Sequence, residues 1–304
     1  MMSTMAAANE RDNHKAIGFL EDRYVVGELL GAGSMGRVYS AFDIVLGIDV
    51  AVKMLHPELV SSRENVDRFA AEARIAARML SRHVVSVLGL AVTRAGIPCI
   101  IYERLEGETL GQRIARSGGV SLADTLEIVK QISHALTRAH TIGVIHRDVK
   151  PDNIFLTRDS GGRLLVKLFD FGIAEMADSR GSYAHCQLAG TPEYMSPETL
   201  LGAQEVGCGA DLYALGVVVF ECLTGTCPFA GDLGDVIEML RAGARAPLTE
   251  RRPDLEGAVE AWMDRALHPD PVWRFSSIKE LRDELELATR KATAGAARAV
   301  QMAA

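Results

Sequence analysis

The sequence predicts an α+β protein in two lobes, a small strand-rich lobe followed by a larger helical one. Three observations lead there. Between Tyr24 and Tyr102 the apolar residues fall in short β-branched and aromatic runs separated by Gly and Asp turns. From Gly107 onward the apolar spacing becomes helical. At 304 residues, 48% of them apolar, the chain is long enough to bury more than one core. A junction between two such lobes leaves a cleft, where ligands usually bind.

Residues 1–23 are small and polar and read as a flexible N-terminal tail. Strands are expected at Tyr24–Leu30, Arg37–Phe42 and Ile48–Leu55, then a helix over Glu64–Leu80, then strands near Val84–Ala91 and Pro98–Tyr102. Ser121, with Asp124 three residues on, is placed to cap a helix reaching His140; Leu122, Leu126, Val129, Ile132 and Leu136 form its apolar stripe. Short strands flank His146–Asn153 and precede Asp170. Further helices are expected at Asp211–Thr224, Asp232–Ala242, Leu255–Leu267 and Ile278–Ala288. The run Leu212–Phe220, interrupted only by Gly216, reads as a buried helix. Ala288–Ala304 is alanine-rich and basic and reads as a frayed helix or a linker.

The net charge of −7 and a pI near 5.7 count against a nucleic-acid-binding surface. Five scattered cysteines without a CxxC pair fit free thiols in a reducing compartment. Residues 1–23 lack the apolar core of a secretory signal, and no stretch reaches the roughly 18 consecutive apolar residues of a membrane span. The expectation is a cytoplasmic protein with no membrane span in this chain and no nucleic-acid partner.

Four motifs carry chemistry. In Gly31-Ala32-Gly33-Ser34-Met35-Gly36-Arg37-Val38 the glycines allow backbone N–H groups to approach a polyphosphate. A dinucleotide fingerprint needs a helix after the glycines, whereas Arg37–Phe42 reads as a strand; a plain Gly-rich hairpin turn is the other reading. In Val50-Ala51-Val52-Lys53, alternation puts Ala51 and Lys53 on one face, a small residue leaving room for a flat base and an ammonium for phosphate oxygens. Glu72 lies among Phe69, Ile75 and Ala76 on its helix, and a charge held there calls for a partner, for which Lys53 is the natural candidate. His146-Arg147-Asp148-Val149-Lys150-Pro151-Asp152-Asn153 matches the loop in which an Asp accepts a substrate hydroxyl proton and an Asn five residues on binds Mg²⁺. Asp170-Phe171-Gly172 follows, its carboxylate suited to the same hard cation.

In this order the motifs resemble the Hanks-type protein kinase family, and within it the bacterial serine/threonine kinases. The resemblance runs from Tyr24 to about Leu287. It implies a bilobal kinase fold over 24–287, with an N-lobe over 24–104 and a C-lobe over 105–287. It also implies ATP as phosphoryl donor, Mg²⁺ or Mn²⁺ as metal, and Asp148, Lys150, Lys53 and Glu72 as the catalytic set. Leu30, Gly31, Ala32, Gly33, Ser34, Met35, Gly36, Val38, Ala51 and Phe155 would surround the nucleotide, with Tyr102 as gatekeeper and Glu103–Leu105 as the adenine-binding hinge. Asn153 and Asp170 would hold the metal. Pro192–Glu198 is similar to the family's APE segment with Ser196 in place of Ala, and Arg274 matches the late arginine that pairs with Glu198. Asp211–Gly216 is similar to its DxxSxG helix, with Ala214 in place of Ser.

Lys150 together with Thr191 points to serine/threonine rather than tyrosine specificity. Arg147 before Asp148 resembles kinases whose activation segment is ordered by phosphorylation. Here that segment lacks upstream threonines, so Ser179 or Ser182 is the expected phosphosite, or none is needed. A homodimer would serve autophosphorylation in trans. Cys186 reads as a free thiol or a redox switch. Two other functions compete: a pseudokinase scaffold that binds nucleotide without catalysis, and a small-molecule kinase. Lys53, Asp148 and Asp170 are all present against the first, and the Ser196-Pro197-Glu198 segment stands against the second.

Overall fold

The structure is a computed structural model that describes residues 18–171, 175–176, 191–203, 206–229, 231, 233–242, 244–255 and 257–303. The chain divides into two compact units. The first takes the chain up to Ala77 together with Val85–Leu105, and the second takes Arg78–Val84 and everything from Glu106 on.

The first unit is built on six antiparallel strands in the order β1-β2-β3-β4-β6-β5. They are β1 (Gly18–Leu20), β2 (Tyr24–Ala32), β3 (Gly36–Asp43), β4 (Ile48–Leu55), β5 (Val87–Val92) and β6 (Pro98–Glu103), with helix α1 (Arg63–Arg78) between β4 and β5. β1 falls in the stretch read from sequence as a tail. Its three residues pair with Tyr24–Val26, and Leu20 is buried. The turn after β1 also meets the far edge of the sheet, where the Val92 amide donates to Glu21 Oε1 at 2.8 Å, so the sheet curls. One face buries Tyr24, Val26, Val50, Val52, Ala91, Cys99 and Ile101; the other face packs Leu55 and Ile100 against Phe69 and Ala73 of α1. Alternation along β4 therefore sends Val50 and Val52 to one core and leaves Ala51 and Lys53 on the face covered by α1.

The second unit contains β7 (Glu108–Thr109), α2 (Leu110–Ser117), α3 (Leu122–Thr141), β8 (Val144–Ile145), β9 (Ile154–Arg158), β10 (Leu164–Leu168), β11 (Glu175–Met176), α4 (Pro197–Leu200), α5 (Gly209–Thr224), α6 (Leu233–Arg241), α7 (Ala258–Ala266) and α8 (Ile278–Ala303). Strands β10-β9-β7 form one small antiparallel sheet and β11-β8 another. α3 is capped as the sequence predicts, Ser121 accepting from the Asp124 amide. α2 was not read from sequence, although its capping box is present: Thr109 and Gln112 satisfy each other's backbone amides. α5 is buried on all sides from Ala210 to Phe220, as its apolar run Leu212–Phe220 requires. α7 starts three residues later than expected, because Pro253–Leu255 forms a tight 3₁₀ turn and Gly257 takes φ 84° ahead of the helix. α8 continues past Ala288 to Ala303.

The segment Arg78–Val84 joins the second unit because its polar groups are satisfied there. Val84 bridges Leu168, and His83 Nδ1 meets the Val166 carbonyl at 3.0 Å. The strand expected from Val84 therefore begins at Val87.

Gly216 lets α5 approach α7, since a Cβ there would lie 3.0 Å from Leu267 Cδ2 and 3.1 Å from the Ala266 Cβ. Gly216→Val is expected to destabilise the protein by about 1–3 kcal/mol through overpacking, read as a shift in the urea midpoint at constant slope.

Candidate active site

In the first unit the glycine motif forms the turn between β2 and β3. Gly31 pairs with Val38 and Ala32 with Arg37, and the Gly33 amide donates to the Gly36 carbonyl at 2.9 Å. Gly31, Ala32, Gly33 and Ser34 are exposed, Met35 is half-buried and Gly36 is buried. A strand follows the glycines, so the dinucleotide reading, which needs a helix there, is excluded. The last glycine is required by packing: a Cβ on Gly36 would sit 2.2 Å from the Met54 carbonyl oxygen. His56 holds the turn from below, its amide donating to the Met35 carbonyl at 2.9 Å and its Nε2 meeting the Gly33 carbonyl at 2.9 Å. Nothing in the sequence singled out His56, because the partners are carbonyls brought near it only by β3–β4 pairing.

Register places the next group on one face. Val38 pairs with Lys53, Lys53 with Ile100 and Ala51 with Tyr102, so all five side chains share the side of the sheet that α1 covers. There Lys53 Nζ donates to Glu72 Oε1 at 2.7 Å and to Oε2 at 2.8 Å, with both side chains buried. Pairing is what permits two charges at that depth. Leu30, Glu103 and Leu105 also belong to this unit; the Glu103 amide donates to the Ser86 carbonyl and its carboxylate accepts from the Ser86 amide at 2.7 Å.

In the second unit, the loop after β8 is organised by Asp211 at the start of α5. Its buried carboxylate accepts from the amides of His146 at 3.0 Å and Arg147 at 2.9 Å, and meets His140 Nε2 at 2.7 Å. These bonds hold Arg147 at φ 63°, a conformation that costs a non-glycine residue energy. The Asp148 amide donates to His146 Nδ1 at 3.2 Å, so His146 carries its proton on Nε2 and donates to the Phe169 carbonyl at 3.1 Å. Burial works against charge on His140, but the Asp211 carboxylate and the neighbouring Cys208 sulfur more than offset it, raising its pKa to about 10. Asp211 is opposed by the same burial, and His140 holds it below the usual carboxylate range.

Asp148 is fixed from two sides. Asn153 Nδ2 donates to its Oδ2 and to its carbonyl, each at 2.8 Å, and Lys150 Nζ lies 3.1 Å from Oδ1 and 2.9 Å from Oδ2. Lys150 Nζ also donates to Thr191 Oγ1 at 3.1 Å. The Phe169 amide donates to the Asn153 carbonyl at 3.1 Å, which places Asp170, at φ 62°, one residue beyond that tie. Phe155 on β9 stands edge-on to Phe169. Asn153 spends its amide nitrogen on Asp148, leaving its oxygen as the donor atom type a hard cation takes, and Asp170 supplies a carboxylate. Among the described residues no cluster of three or more His, Cys, Asp or Glu could hold a metal. Two oxygen donors suit a divalent ion that completes its shell with phosphate and water rather than one caged by protein. Gly172, Ser179, Ser182 and Cys186 lie outside the described residues.

A family model described as protein kinase domain matches residues 24–284. The chain belongs to the protein kinase family. Membership implies ATP as phosphoryl donor together with a divalent metal ion. The kinase domain is 38% identical to serine/threonine-protein kinase Pkn1 of Myxococcus xanthus, over 85% of this chain and 37% of that protein. It is 36% identical to serine/threonine-protein kinase PknB of Mycobacterium leprae, over 88% of this chain and 43% of that protein. It is 35% identical to serine/threonine-protein kinase PknA of Mycobacterium tuberculosis, over 85% of this chain and 59% of that protein. The chain thus spans between about two fifths and three fifths of the length of these relatives.

Two further contacts brace the kinase domain beside Thr191. Arg274, fully buried at its side chain, donates to both oxygens of Glu198 at 2.8 and 2.7 Å and to the carbonyls of Gly209, His268 and Pro269. Tyr194 donates its hydroxyl to Glu221 of α5, a bond between side chains 27 residues apart that sequence spacing could not reveal.

Removing Arg274 strands a carboxylate and several carbonyls, so Arg274→Ala is expected to lower stability by about 3–5 kcal/mol in chemical denaturation. The raised His140 pKa contributes stability fully below its ordinary value of 6.5 and loses it as pH rises toward about 10. Thermal midpoints across that interval are expected to fall with pH in the wild type and to fall less steeply in His140→Gln.

Proposed function

We propose that the chain is a serine/threonine protein kinase domain that transfers the γ-phosphoryl group of Mg·ATP to a hydroxyl of another protein. The observation that carries the reading is Lys150 Nζ lying between the Asp148 carboxylate and the Thr191 hydroxyl. An acceptor hydroxyl brought to Asp148 gives up its proton to that carboxylate, and Lys150 stands beside the same oxygens to offset negative charge gathering on the transferred group. Asn153 keeps the carboxylate oriented, so little reorganisation is needed when the acceptor arrives.

Lys53 would bind phosphate oxygens of the nucleotide, with Glu72 fixing the ammonium. The backbone around Gly31, Ala32, Gly33, Ser34, Met35 and Gly36 would cover the phosphates. Leu30, Val38, Ala51 and Phe155 would enclose the adenine, and the Glu103–Leu105 backbone would bind its edge. Asn153 and Asp170 would hold Mg²⁺, which would neutralise phosphate charge. Protein substrates are the acceptors. Ser179 or Ser182 would be modified by a second copy of the chain in a homodimer. No helix among the described residues is long and apolar enough to cross a membrane, and we place the domain in the cytoplasm.

With Mg·ATP and a generic protein acceptor, phosphate is expected on serine and threonine and not on tyrosine, read by mass spectrometry. Asp148→Asn is expected to lower the rate by at least about 10²-fold. Transfer that survives this substitution, or product found on tyrosine, overturns the reading.

A further inference from the structure

We propose that Tyr102 is a positioning residue for phosphoryl transfer, its hydroxyl holding Glu72 and through it Lys53 in the phosphate-binding geometry. The inference rests on the reading of Lys53 as the phosphate-binding ammonium.

Tyr102 lies on β6, which pairs with β4, and Tyr102 is directly opposite Ala51. Its ring is half-buried against the cluster of Leu55, Phe69, Ala73 and Ile100 that joins the sheet to α1. From there the hydroxyl donates to Glu72 Oε1 at 2.6 Å, the same oxygen that Lys53 Nζ meets at 2.7 Å. A carboxylate paired with an ammonium is acceptor only, so the phenol must be the donor, and the short distance is that of a charge-assisted O–H···O⁻ bond. Two adjacent strands of one sheet therefore grip one helix-borne carboxylate. Lys53 reaches Glu72 from β4 and the Tyr102 hydroxyl reaches it from β6. A second bond from the neighbouring strand fixes the carboxylate relative to the backbone that carries Lys53. A phenylalanine at this position would fill the same space without that bond, so the hydroxyl is the operative group.

The test is a double-mutant cycle on kcat/KM for Mg·ATP with a peptide acceptor, thermal midpoints confirming that each variant is folded. Tyr102→Phe is expected to lower kcat/KM for ATP about tenfold, as loss of a hydrogen bond to a charged group does. The KM for the peptide should stay within about twofold. Tyr102→Met, which keeps bulk and lacks the hydroxyl, should match the Phe variant. In a Glu72→Ala background, which has no acceptor for the hydroxyl, Tyr102→Phe should change kcat/KM by less than about twofold. A harmless Tyr102→Phe or Tyr102→Met overturns the proposal, as does a loss of equal size in both backgrounds. Lys53→Met separates the two levels. If it abolishes transfer while Tyr102→Phe is silent, only the role of Tyr102 falls; if Lys53→Met leaves transfer intact, the reading of Lys53 fails and the proposal with it.

Discussion

The buried carboxylate of Asp211 is the constraint on which the arrangement of the second unit depends. It sits at the start of a helix with no solvent-facing side and points its two oxygens at the amides of His146 and Arg147. The loop carrying Asp148 adopts a conformation its own sequence does not favour, and Arg147 at φ 63° records that cost. The Asp211 bonds offset the cost at the point where it arises. Everything downstream inherits the result: Asp148 is set between Lys150 and Asn153, and Asn153 is tied to the strand end that presents Asp170.

The same physical device recurs elsewhere among the described residues. Lys53 and Glu72 tie α1 to the sheet, and Arg274 and Glu198 tie the segment after Thr191 to the loop before α8. Each is a buried or nearly buried charge pair, which adds little net stability but is costly to break halfway. Such pairs tolerate few alternative arrangements, because any other leaves a charge unpaired in a low-dielectric interior. Apolar packing supplies the bulk of each unit's stability; these pairs decide which of several well-packed arrangements is occupied.

The elements with strong periodicity were legible in the sequence. β4 runs over Ile48–Leu55 as expected, α1 and α3 agree to within two residues at either end, and the buried run Leu212–Phe220 is a helix. The exceptions have local causes. β1 is three residues long and exists through pairing with β2, so no propensity marks it. α2 is short, and its capping box was the available signal. The candidate residues Lys53, Glu72, Asp148, Lys150, Asn153 and Asp170 were legible because the chemistry proposed for them calls for residue types at fixed spacing. His56, Tyr194 and Glu221 were not, since their contacts are with carbonyls or side chains brought close by folding.

By itself the sequence determined the residue types that phosphoryl transfer requires, their order along the chain, and the kinase family to which they belong. Those are matters of chemistry and local spacing, and both are written in the linear order. Tertiary structure alone decided that Asp211 meets His140 and the amides of His146 and Arg147, that Gly36 is demanded by the Met54 carbonyl, and that Arg78–Val84 packs with the second unit. It also decided that the Tyr102 hydroxyl reaches Glu72. Such contacts join residues tens of positions apart, and only the register of strands and the packing of helices sets the distances between them.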